Sequence, residues 1–371
     1  MSDTPEIQTP RERVMAIDAL RGFDMFWIIG GNGFLLSTLA LLRVPLPDWF
    51  TRQFEHVRWE GFVGWDLIMP LFLFITGASI PFAFDKRRQQ QQSAGAIGLR
   101  VLRRVIVLFV FGMMVQGHLL AFRLDEFHLY SNTLQAIAVG YAVAAIAQLC
   151  LPVSRQVILT GGLLVLFWAL MMFVPFAEHP GGTLEEDANL ALHVDHLLLG
   201  QFEDGTPYTW ILSSLGFAAT VLMGALSGHI LQMGIRPIAR VGYLLAAGAA
   251  CLLAGWAWSF HFPIIKHLWT SSMTLWAGGW SYLLLGCFYL VIDVWGLRRW
   301  AFPLVVIGTN AITAYMAWHL LPFGDVSNRL LGGLADHLGD TGGTFLLSTG
   351  AFLGIWLVLL HLYRHKIFLK V

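Results

Sequence analysis

Charged residues are scarce in this chain of 371 residues. Only 12% are Asp, Glu, Lys or Arg, whereas 57% are hydrophobic. Because soluble domains carry about a quarter charged residues, this composition excludes an ordinary water-soluble globule. The formal net charge is zero, so there is no electrostatic basis for binding nucleic acid.

Cysteines and the motifs of several enzyme classes are also few or missing. The three cysteines, Cys150, Cys251 and Cys287, lie in apolar runs, which favours packing roles over disulfides or metal ligands. There is no H-E-x-x-H or C-x-x-C spacing for a metal, no G-x-S-x-G and no phosphate-binding loop motif. Nothing therefore supports a metalloenzyme, a serine hydrolase or an ATPase.

Long apolar runs dominate what is present. A membrane-spanning helix needs about 20 apolar residues, and the alternating pattern of a membrane β-barrel is missing. The sequence predicts an all-α, polytopic membrane bundle of about ten spans. The predicted spans are residues 17–42, 61–84, 99–121, 132–151, 156–176, 209–231, 240–260, 272–293, 301–322 and 343–362.

The distribution of charge predicts how the bundle is oriented. With ten spans both termini lie on the side that holds most Lys and Arg, including Arg11, Arg13 and Lys370, and this side is expected to be cytoplasmic. The polar start, MSDTPEIQTPRER, is neither a signal nor a transit peptide. We therefore expect a cytoplasmic segment, residues 1–16, followed by one transmembrane domain, residues 17–371. The polar run KRRQQQQ at residues 86–92 is expected to be a flexible loop without chemistry.

The first span contains charged and polar residues, which are costly in a bilayer and therefore suggest function. Asp18, Arg21 and Asp24 share roughly one helical face. They form either an interfacial ion-pair cluster, which we favour, or a site where Arg21 contacts a phosphate. Further on, Asn32 lies among glycines and is either a clamp between helices or an amide that orients a substrate.

The segment FEHVRWEGFVGWD is the densest cluster of polar residues. His56 can exchange a proton near neutral pH, and a nearby carboxylate such as Glu60 or Asp66 would fix its tautomer. The alternative is an interfacial histidine beside the membrane-belt residue Trp59. From these residues alone the interfacial role is favoured.

Two further segments carry polar residues in apolar surroundings. HFPIIKHLWTSSM contains Lys266, His267 and Trp269 and either lines an outer cavity or forms a re-entrant loop. GTNAITAYMAWH places Asn310 and Tyr315 at membrane depth, where a polar side chain needs a partner or a cavity.

The order of these segments resembles the heparan-α-glucosaminide N-acetyltransferase family, whose members are transmembrane acetyltransferases. The resemblance covers nearly the whole chain after about residue 10. It rests on IDALRGFDMFW, HVRWEGFVGWDLIMPLFLFITGASI, NTLQAIAVGY, KHLWTSS, DVWGLRRW, GTNAITAY and YRHKIFLKV.

The resemblance implies transfer of an acetyl group from acetyl-coenzyme A to the amine of a terminal glucosamine across the membrane. The family's active-site histidine falls on His56 and its span-one asparagine on Asn32, which reverses the preference stated above for His56. His56 would act as general base, which we favour, or would itself be acetylated. Asn32 would hold the carbonyl of the acetyl group. The expected catalytic residues are therefore His56, Asn32 and Asp66.

The remaining site residues follow from this interpretation. The expected substrate-binding residues are Trp59, Glu60, Lys266, His267, Trp269 and Asn310. The phosphates of acetyl-coenzyme A would enter from the basic cytoplasmic face, and its arm would pass the glycine-rich part of span one. The expected donor-binding residues are Arg21, Gly30, Gly31, Arg103, Arg104 and Arg240.

The main rival function is transport of N-acetylglucosamine or a related amino sugar, because cavities and interrupted spans also suit transporters. No internal inverted repeat is visible to support it. The expected partners are the lipid bilayer of the inner (plasma) membrane, acetyl-coenzyme A and an amino-sugar acceptor. A homodimer would be consistent with exposed small-residue faces.

Overall fold

The computed structural model describes residues 14–368, so residues 1–13 of the expected cytoplasmic segment, and Lys370, lie outside the described residues. Within residues 14–368 the chain forms α-helices and a few isolated β-bridges, with no β-strand. The α-helices are α1 (Met15–Phe26), α2 (Asn32–Leu41), α3 (Asp48–Thr51), α4 (Ile68–Ala78), α5 (Ile80–Gln89), α6 (Ala94–Val115), α7 (Thr133–Cys150), α8 (Val153–Phe173), α9 (Leu190–Leu199), α10 (Ser214–Gln232), α11 (Pro237–Ser259), α12 (Ser271–Tyr289), α13 (Phe302–Thr309), α14 (Ala311–Leu320), α15 (Phe323–His337) and α16 (Gly339–Arg364).

Eight helical segments of the described chain are long and apolar enough to cross a bilayer. Each coincides with one of the predicted spans, so the prediction of an all-α, polytopic membrane bundle is confirmed. The total of ten spans and the cytoplasmic position of both termini stay predictions. The eight segments are Met15–Leu41, Gly64–Gln89, Thr133–Cys150, Val153–Phe173, Ser214–Gln232, Pro237–Ser259, Ser271–Val294 and Gly339–Arg364.

The other two predicted spans are helical but differ from these eight. Helix α6 has 22 residues, yet Arg100, Arg103 and Arg104 occupy its first half. The span predicted at residues 301–322 is broken at Asn310, whose φ of −125° and ψ of 35° lie outside the helical range. Its halves, α13 and α14, have 8 and 10 residues, so neither could cross a bilayer alone.

The first span is one long helical segment with an irregular turn in its middle. Residues Trp27–Gly31 form a widened π turn in which Ile29 and Gly30 leave helical geometry. Gly30 has a φ of 93°, which glycine adopts without strain, and a Cβ here would lie 2.7 Å from the Trp318 ring. Because one helical residue turns the chain by about 100°, the extra residue of a π turn changes which face the following residues present.

Glycines allow a close crossing of two helices in the core. Helix α10 is largely buried and packs against α4, α7, α8 and α12. At its crossing with α4, Gly77 faces the carbonyl of Val221 and Gly224 faces the carbonyl of Phe74, and neither position has room for a Cβ. Small residues at such crossings let two backbones approach closely, which fixes α4 against the centre of the bundle.

Helix α15 occupies a stretch for which the sequence predicts no span or helix. It is amphipathic, with Asp325, Arg329 and Asp336 among its leucines, so its mean hydropathy falls below that of a span. It packs against α16 and fills the connection between α14 and α16.

Candidate functional site

His56, Asp66 and Lys266 form one polar cluster. Nδ1 of His56 lies 2.8 Å from Oδ1 of Asp66, and Nζ of Lys266 donates to the same oxygen at 3.2 Å. The distance from Nζ of Lys266 to Nδ1 of His56 is 3.1 Å. Three residues expected at the site from sequence therefore do meet, although the lysine is separated from the histidine by 210 positions.

Local backbone structure positions the members of the cluster. Asp66 lies in the 3₁₀ turn that leads into α4, where its Oδ2 accepts a hydrogen bond of 3.2 Å from the Val63 amide. Lys266 lies in the loop between α11 and α12. That loop is attached to the segment after His56, because the Gly61 amide donates to the carbonyl of Ile264 at 2.9 Å.

The hydrogen bonds determine which histidine nitrogen can act as a base. A carboxylate only accepts hydrogen bonds, so the 2.8 Å contact assigns the proton of His56 to Nδ1 and the lone pair to Nε2. Lys266, which only donates, then bonds to Oδ1 of Asp66 and not to Nδ1. The side chain of His56 is 46% exposed, whereas that of Asp66 is 2% exposed. A buried anion thus orients an accessible base. Burial lowers the pKa of the Lys266 ammonium, and the adjacent Asp66 carboxylate partly offsets this effect.

A cavity of about 450 Å³, which we call the His56 cavity, opens at this cluster. It has room for a small organic ligand. Its walls combine aromatic, acidic and basic side chains from the loops with residues of α4, α7 and α14. Among its lining residues are His56, Trp65, Asp204, Tyr208, Lys266, Tyr315 and His319.

An aromatic stack supports the His56 cavity from the side. The rings of Trp59 and His267 are stacked with centroids 5.5 Å apart, and Tyr208 lies 4.3 Å from His267. Burial, helped by the neighbouring Lys266, lowers the pKa of His267 to about 4, so this imidazole is neutral at physiological pH. Of the three, only Tyr208 lines the cavity.

A second cavity of about 460 Å³, the arginine cavity, is lined by Arg21, Arg87, Arg104 and Asn310. Arg21 contacts Asp18 at 3.2 Å and Ser79 at 2.6 Å. Several buried polar atoms of this lining have no hydrogen-bond partner within residues 14–368. They are Nη1 of Arg87, Nε of Arg104, Oδ1 of Asn310 and Oγ1 of Thr313.

Unpaired buried polar atoms are rare in folded proteins. Four of them around one cavity indicate a place for a polar ligand, and the arginines favour an anion.

Phe72 borders both cavities. It is the one residue common to both linings, and it lies on α4. Helices α7 and α14 also contribute residues to both cavities. The cavities therefore follow one another along the same three helices, and their linings meet at Phe72.

The glycine-rich part of the first span does not supply the residues expected of it, although Arg21 in α1 lines the arginine cavity. Asn32 lines neither cavity, and its Oδ1 accepts a hydrogen bond of 2.7 Å from the adjacent Gly33 amide. Gly30 and Gly31 pack against Trp318 and Phe26 instead of lining a passage. The π turn changes the face on which these residues lie.

Three expected substrate-binding residues lie elsewhere. Asn310 lines the arginine cavity, and its amide donates to the carbonyl of Ile367 at 3.3 Å. Trp269 is buried, with its indole donating to Thr220 at 3.1 Å. Glu60 is exposed at the bridge to Ile265 and does not line the His56 cavity. Sequence proximity to a site does not determine where a side chain points.

Of the four arginines expected to bind the donor, two line the arginine cavity. These are Arg21 on α1 and Arg104 on α6. The guanidinium of Arg104 also lies over the ring of Tyr141, 4.4 Å from its centroid. Arg103 is exposed, because consecutive residues of a helix point about 100° apart. Arg240 donates to the hydroxyl of Tyr289 at 3.2 Å, away from the cavity.

Arg87 and Tyr208 line the cavities but were not predicted from the sequence. Arg87 was assigned to a loop without chemistry, but α5 continues to Gln89 and carries the arginine into the cavity. The basic residues at the end of that predicted span were an available signal. Tyr208 stands out only once the loop before α10 is placed beside Lys266, so no sequence pattern could have identified it.

Compared with known proteins, the chain matches no family model and no curated protein.

Proposed function

We propose that this membrane protein transfers an acetyl group from acetyl-coenzyme A to the amine of a glucosamine-type sugar. The observation that carries the proposal is that Phe72 borders both a cavity lined by three arginines and a cavity lined by His56, which is paired with Asp66. A donor with phosphates at one end and a thioester at the other would place its phosphates in the arginine cavity and its thioester in the His56 cavity.

The arginine cavity fits the anionic end of this donor. Arg87 and Arg104 each have a buried nitrogen without a partner in the described part of the chain, and guanidinium groups pair well with phosphate oxygens. The unpaired oxygens of Asn310 and Thr313 suit the hydroxyl and amino donors of a nucleoside. A slender arm would then pass Phe72 toward His56.

Acetyl-coenzyme A supplies a thioester, whose acetyl carbon bonds to the amine nitrogen as the carbon–sulfur bond breaks and the sulfur leaves as a thiolate. Nε2 of His56 accepts the proton that the amine nitrogen loses. Asp66 stabilises the resulting imidazolium through the bond to Nδ1. The imidazolium then returns this proton to the thiolate. A positioned general base of this kind contributes about 10²–10⁴-fold in rate.

The chemistry of the His56 cavity suits an amino sugar. Trp65 and Tyr208 offer aromatic faces, and Asp204 offers a carboxylate, which would complement a sugar ring and its ammonium group. The half-exposed position of His56 leaves room for an acceptor that is part of a larger glycan. With the arginine cavity facing the cytoplasm, the acceptor would lie at the outer face of the inner membrane.

Transport of an amino sugar is the second candidate. The observation that favours it is the broken helix at Asn310, because discontinuous helices line the binding sites of many transporters. Transport does not require a histidine oriented by a buried carboxylate, so we rank it below acetyl transfer.

One experiment separates the two. The purified protein in liposomes is given labelled acetyl-coenzyme A and glucosamine, and acetylated sugar is measured for the protein and for a His56→Ala variant. Acetyl transfer predicts product that falls at least about 10²-fold in the variant. Sugar uptake without acetylation would support transport and end the enzyme proposal. Initial rates with both substrates varied then distinguish direct transfer from an acetylated His56, since only the latter gives ping-pong patterns.

A further inference from the structure

The His56 cavity contains an uncharged donor that neither the proposed base nor the proposed phosphate site uses. Gln116 follows the last residue of α6, and its exposed side chain lines the cavity. Its Oε1 accepts a hydrogen bond of 2.6 Å from Nδ2 of Asn132. In the part of the chain that the structure describes, Nε2 of Gln116 has no hydrogen-bond partner. This amide nitrogen is therefore free to donate to a ligand.

The backbone of α7 fixes the direction of this amide. Asn132 caps α7, because its Oδ1 accepts a hydrogen bond of 2.7 Å from the Leu134 amide. A backbone N–H only donates, so the side-chain oxygen of Asn132 must face α7 and its nitrogen must face Gln116. The atom of Gln116 that receives this bond is then its oxygen, which leaves its NH₂ group for the cavity.

Burial holds the capping side chain in place. Asn132 is fully buried, and its nitrogen also donates to the hydroxyl of Tyr315 at 3.0 Å. All the hydrogen bonds of this amide are thus made inside the protein, and turning it over would leave buried polar groups unpaired. Asn132 therefore sets which end of the Gln116 amide a ligand meets.

Acyl transfer uses a donor of this kind. As the amine nitrogen attacks, the carbonyl oxygen of the acetyl group gains negative charge, and a positioned N–H that meets this oxygen lowers the barrier. Asn32, which was expected to hold the carbonyl, lines neither cavity. Gln116 lines the same cavity as His56. One side chain can take the proton of the amine while the other bonds to the carbonyl oxygen.

We propose that Gln116 donates to the carbonyl oxygen of the acetyl group and that Asn132 is its positioning residue. The inference rests on the proposed acetyl transfer and deepens it by naming the group that stabilises the developing negative charge. Two charged residues of the same lining are less suited to this role. The carboxylate of Asp204 cannot donate a hydrogen bond, and the ammonium of Lys266 is already paired with Asp66.

The probe for this contact is a ketone analogue of acetyl-coenzyme A, in which a methylene group replaces the thioester sulfur. The analogue keeps the carbonyl but cannot transfer its acetyl group. Its carbonyl carbon is isotopically labelled, and the infrared stretching frequency of this carbonyl is measured with the analogue bound to the full-length purified protein. A hydrogen bond to the oxygen weakens the carbonyl bond and lowers its frequency, so the measurement reports the contact without turnover.

Two variants remove the contact in different ways. Gln116→Leu deletes the donor. Asn132→Asp keeps an oxygen to cap α7, but at mildly alkaline pH its carboxylate cannot donate, so the Gln116 amide turns its NH₂ group toward the carboxylate and presents its oxygen to the cavity. The matched control is Asn189→Asp, because Asn189 is also buried, caps α9 in the same way and lines neither cavity.

We expect a lower carbonyl frequency in the unaltered protein and in Asn189→Asp than in Gln116→Leu and Asn132→Asp. With acetyl-coenzyme A and glucosamine, kcat should fall about 10²–10³-fold in Gln116→Leu and in Asn132→Asp, with little change in either KM. Elution profiles and thermal midpoints verify folding. Because Gln116 is exposed, Gln116→Leu tests the donor even if Asn132→Asp does not fold.

The outcomes separate this inference from the function on which it rests. If the analogue binds but its carbonyl frequency is the same with and without the Gln116 side chain, the inference is overturned and acetyl transfer still stands. An unchanged kcat with a raised KM for glucosamine would likewise overturn it, and would place Gln116 on a sugar hydroxyl. If the unaltered protein did not bind the analogue at all, the proposed acetyl transfer would fail together with the inference.

Discussion

Oδ1 of Asp66 lies 2.8 Å from Nδ1 of His56, and it also accepts the hydrogen bond from Lys266. One buried carboxylate oxygen thus orients the imidazole and balances the charge of a buried ammonium. Removing this carboxylate should affect both catalysis and stability, and the two effects can be separated.

The first prediction concerns Asp66→Asn. An amide in place of the carboxylate no longer stabilises the imidazolium or fixes its tautomer, so we expect the acetylation rate to fall by about 10²-fold. Because Lys266 then lacks its counter-ion, the thermal midpoint should also fall, since breaking a buried pair costs roughly 3–5 kcal/mol.

A double variant, Asp66→Asn with Lys266→Met, is the matched control for stability. It removes both charges together, so we expect most of the thermal stability to return while the acetylation rate stays low. If the rate recovered together with the stability, Asp66 would have a structural role only.

The second prediction compares two neighbouring arginines of α6. Arg104 lines the arginine cavity and Arg103 is exposed, although both carry the same charge. Arg104→Ala should weaken binding of acetyl-coenzyme A by roughly 10-fold or more, the loss of one charge-assisted hydrogen bond. Arg103→Ala should leave it unchanged. Equal effects in a calorimetric titration would mean that only the general positive charge of this face matters.

Much of the fold could be predicted from the sequence because every helix that crosses a bilayer needs about 20 apolar residues. The apolar runs located all eight segments of residues 14–368 that are long and apolar enough to cross a bilayer. The π turn at Trp27–Gly31 and the break at Asn310 were not predicted, since both depend on packing against other helices. Helix α15 was missed because its polar residues lower its mean hydropathy.

The site was predictable only in part, because tertiary contacts bring its residues together. Both segments that carry His56 and Lys266 stood out by their polar residues, but the backbone pairing between Gly61 and Ile264 that joins them is a tertiary contact. Asn32 was assigned to the site by the family resemblance, and no sequence pattern indicates the π turn that precedes it. Arg103 and Arg104 could not be told apart without the orientation of α6.

The third prediction concerns the passage between the cavities. Phe72→Trp places a larger ring where the two linings meet, so we expect acetyl transfer to fall at least about tenfold by steric narrowing. Binding of adenosine 3′,5′-bisphosphate, which has two of the donor's three phosphates but no arm, should be unchanged by Phe72→Trp and weakened by Arg104→Ala. If both variants weakened this binding equally, Phe72 would belong to the phosphate site and not to a passage.

The fourth prediction concerns pH. Burial lowers the pKa of His267 to about 4 in the folded protein, against 6.5 for the ordinary side chain. Between these values the unfolded chain holds a proton that the folded chain lacks, so the stability linked to His267 is fully present above about pH 6.5 and is lost as the pH falls toward 4. His267→Gln cannot titrate, and its thermal midpoint should fall less between pH 7.5 and 5 than that of the unaltered protein. Equal falls would show that His267 titrates normally.

The last prediction tests the crossing of α4 and α10, which positions Phe72 and Asp66. Gly77→Val places side-chain atoms against the carbonyl of Val221, where not even a Cβ fits, and overpacking of this kind typically costs about 1–3 kcal/mol. Gly161→Val in α8 is the matched control, because it makes the same helical substitution where no atom lies within 4 Å of the added Cβ. Gly77→Val should lower the thermal midpoint and the acetylation rate together, since α4 must move away from α10 and takes Asp66 with it. If Gly161→Val lowered the midpoint equally, the loss would reflect the glycine-to-valine change itself, and close contact between α4 and α10 would not be what holds the site in place.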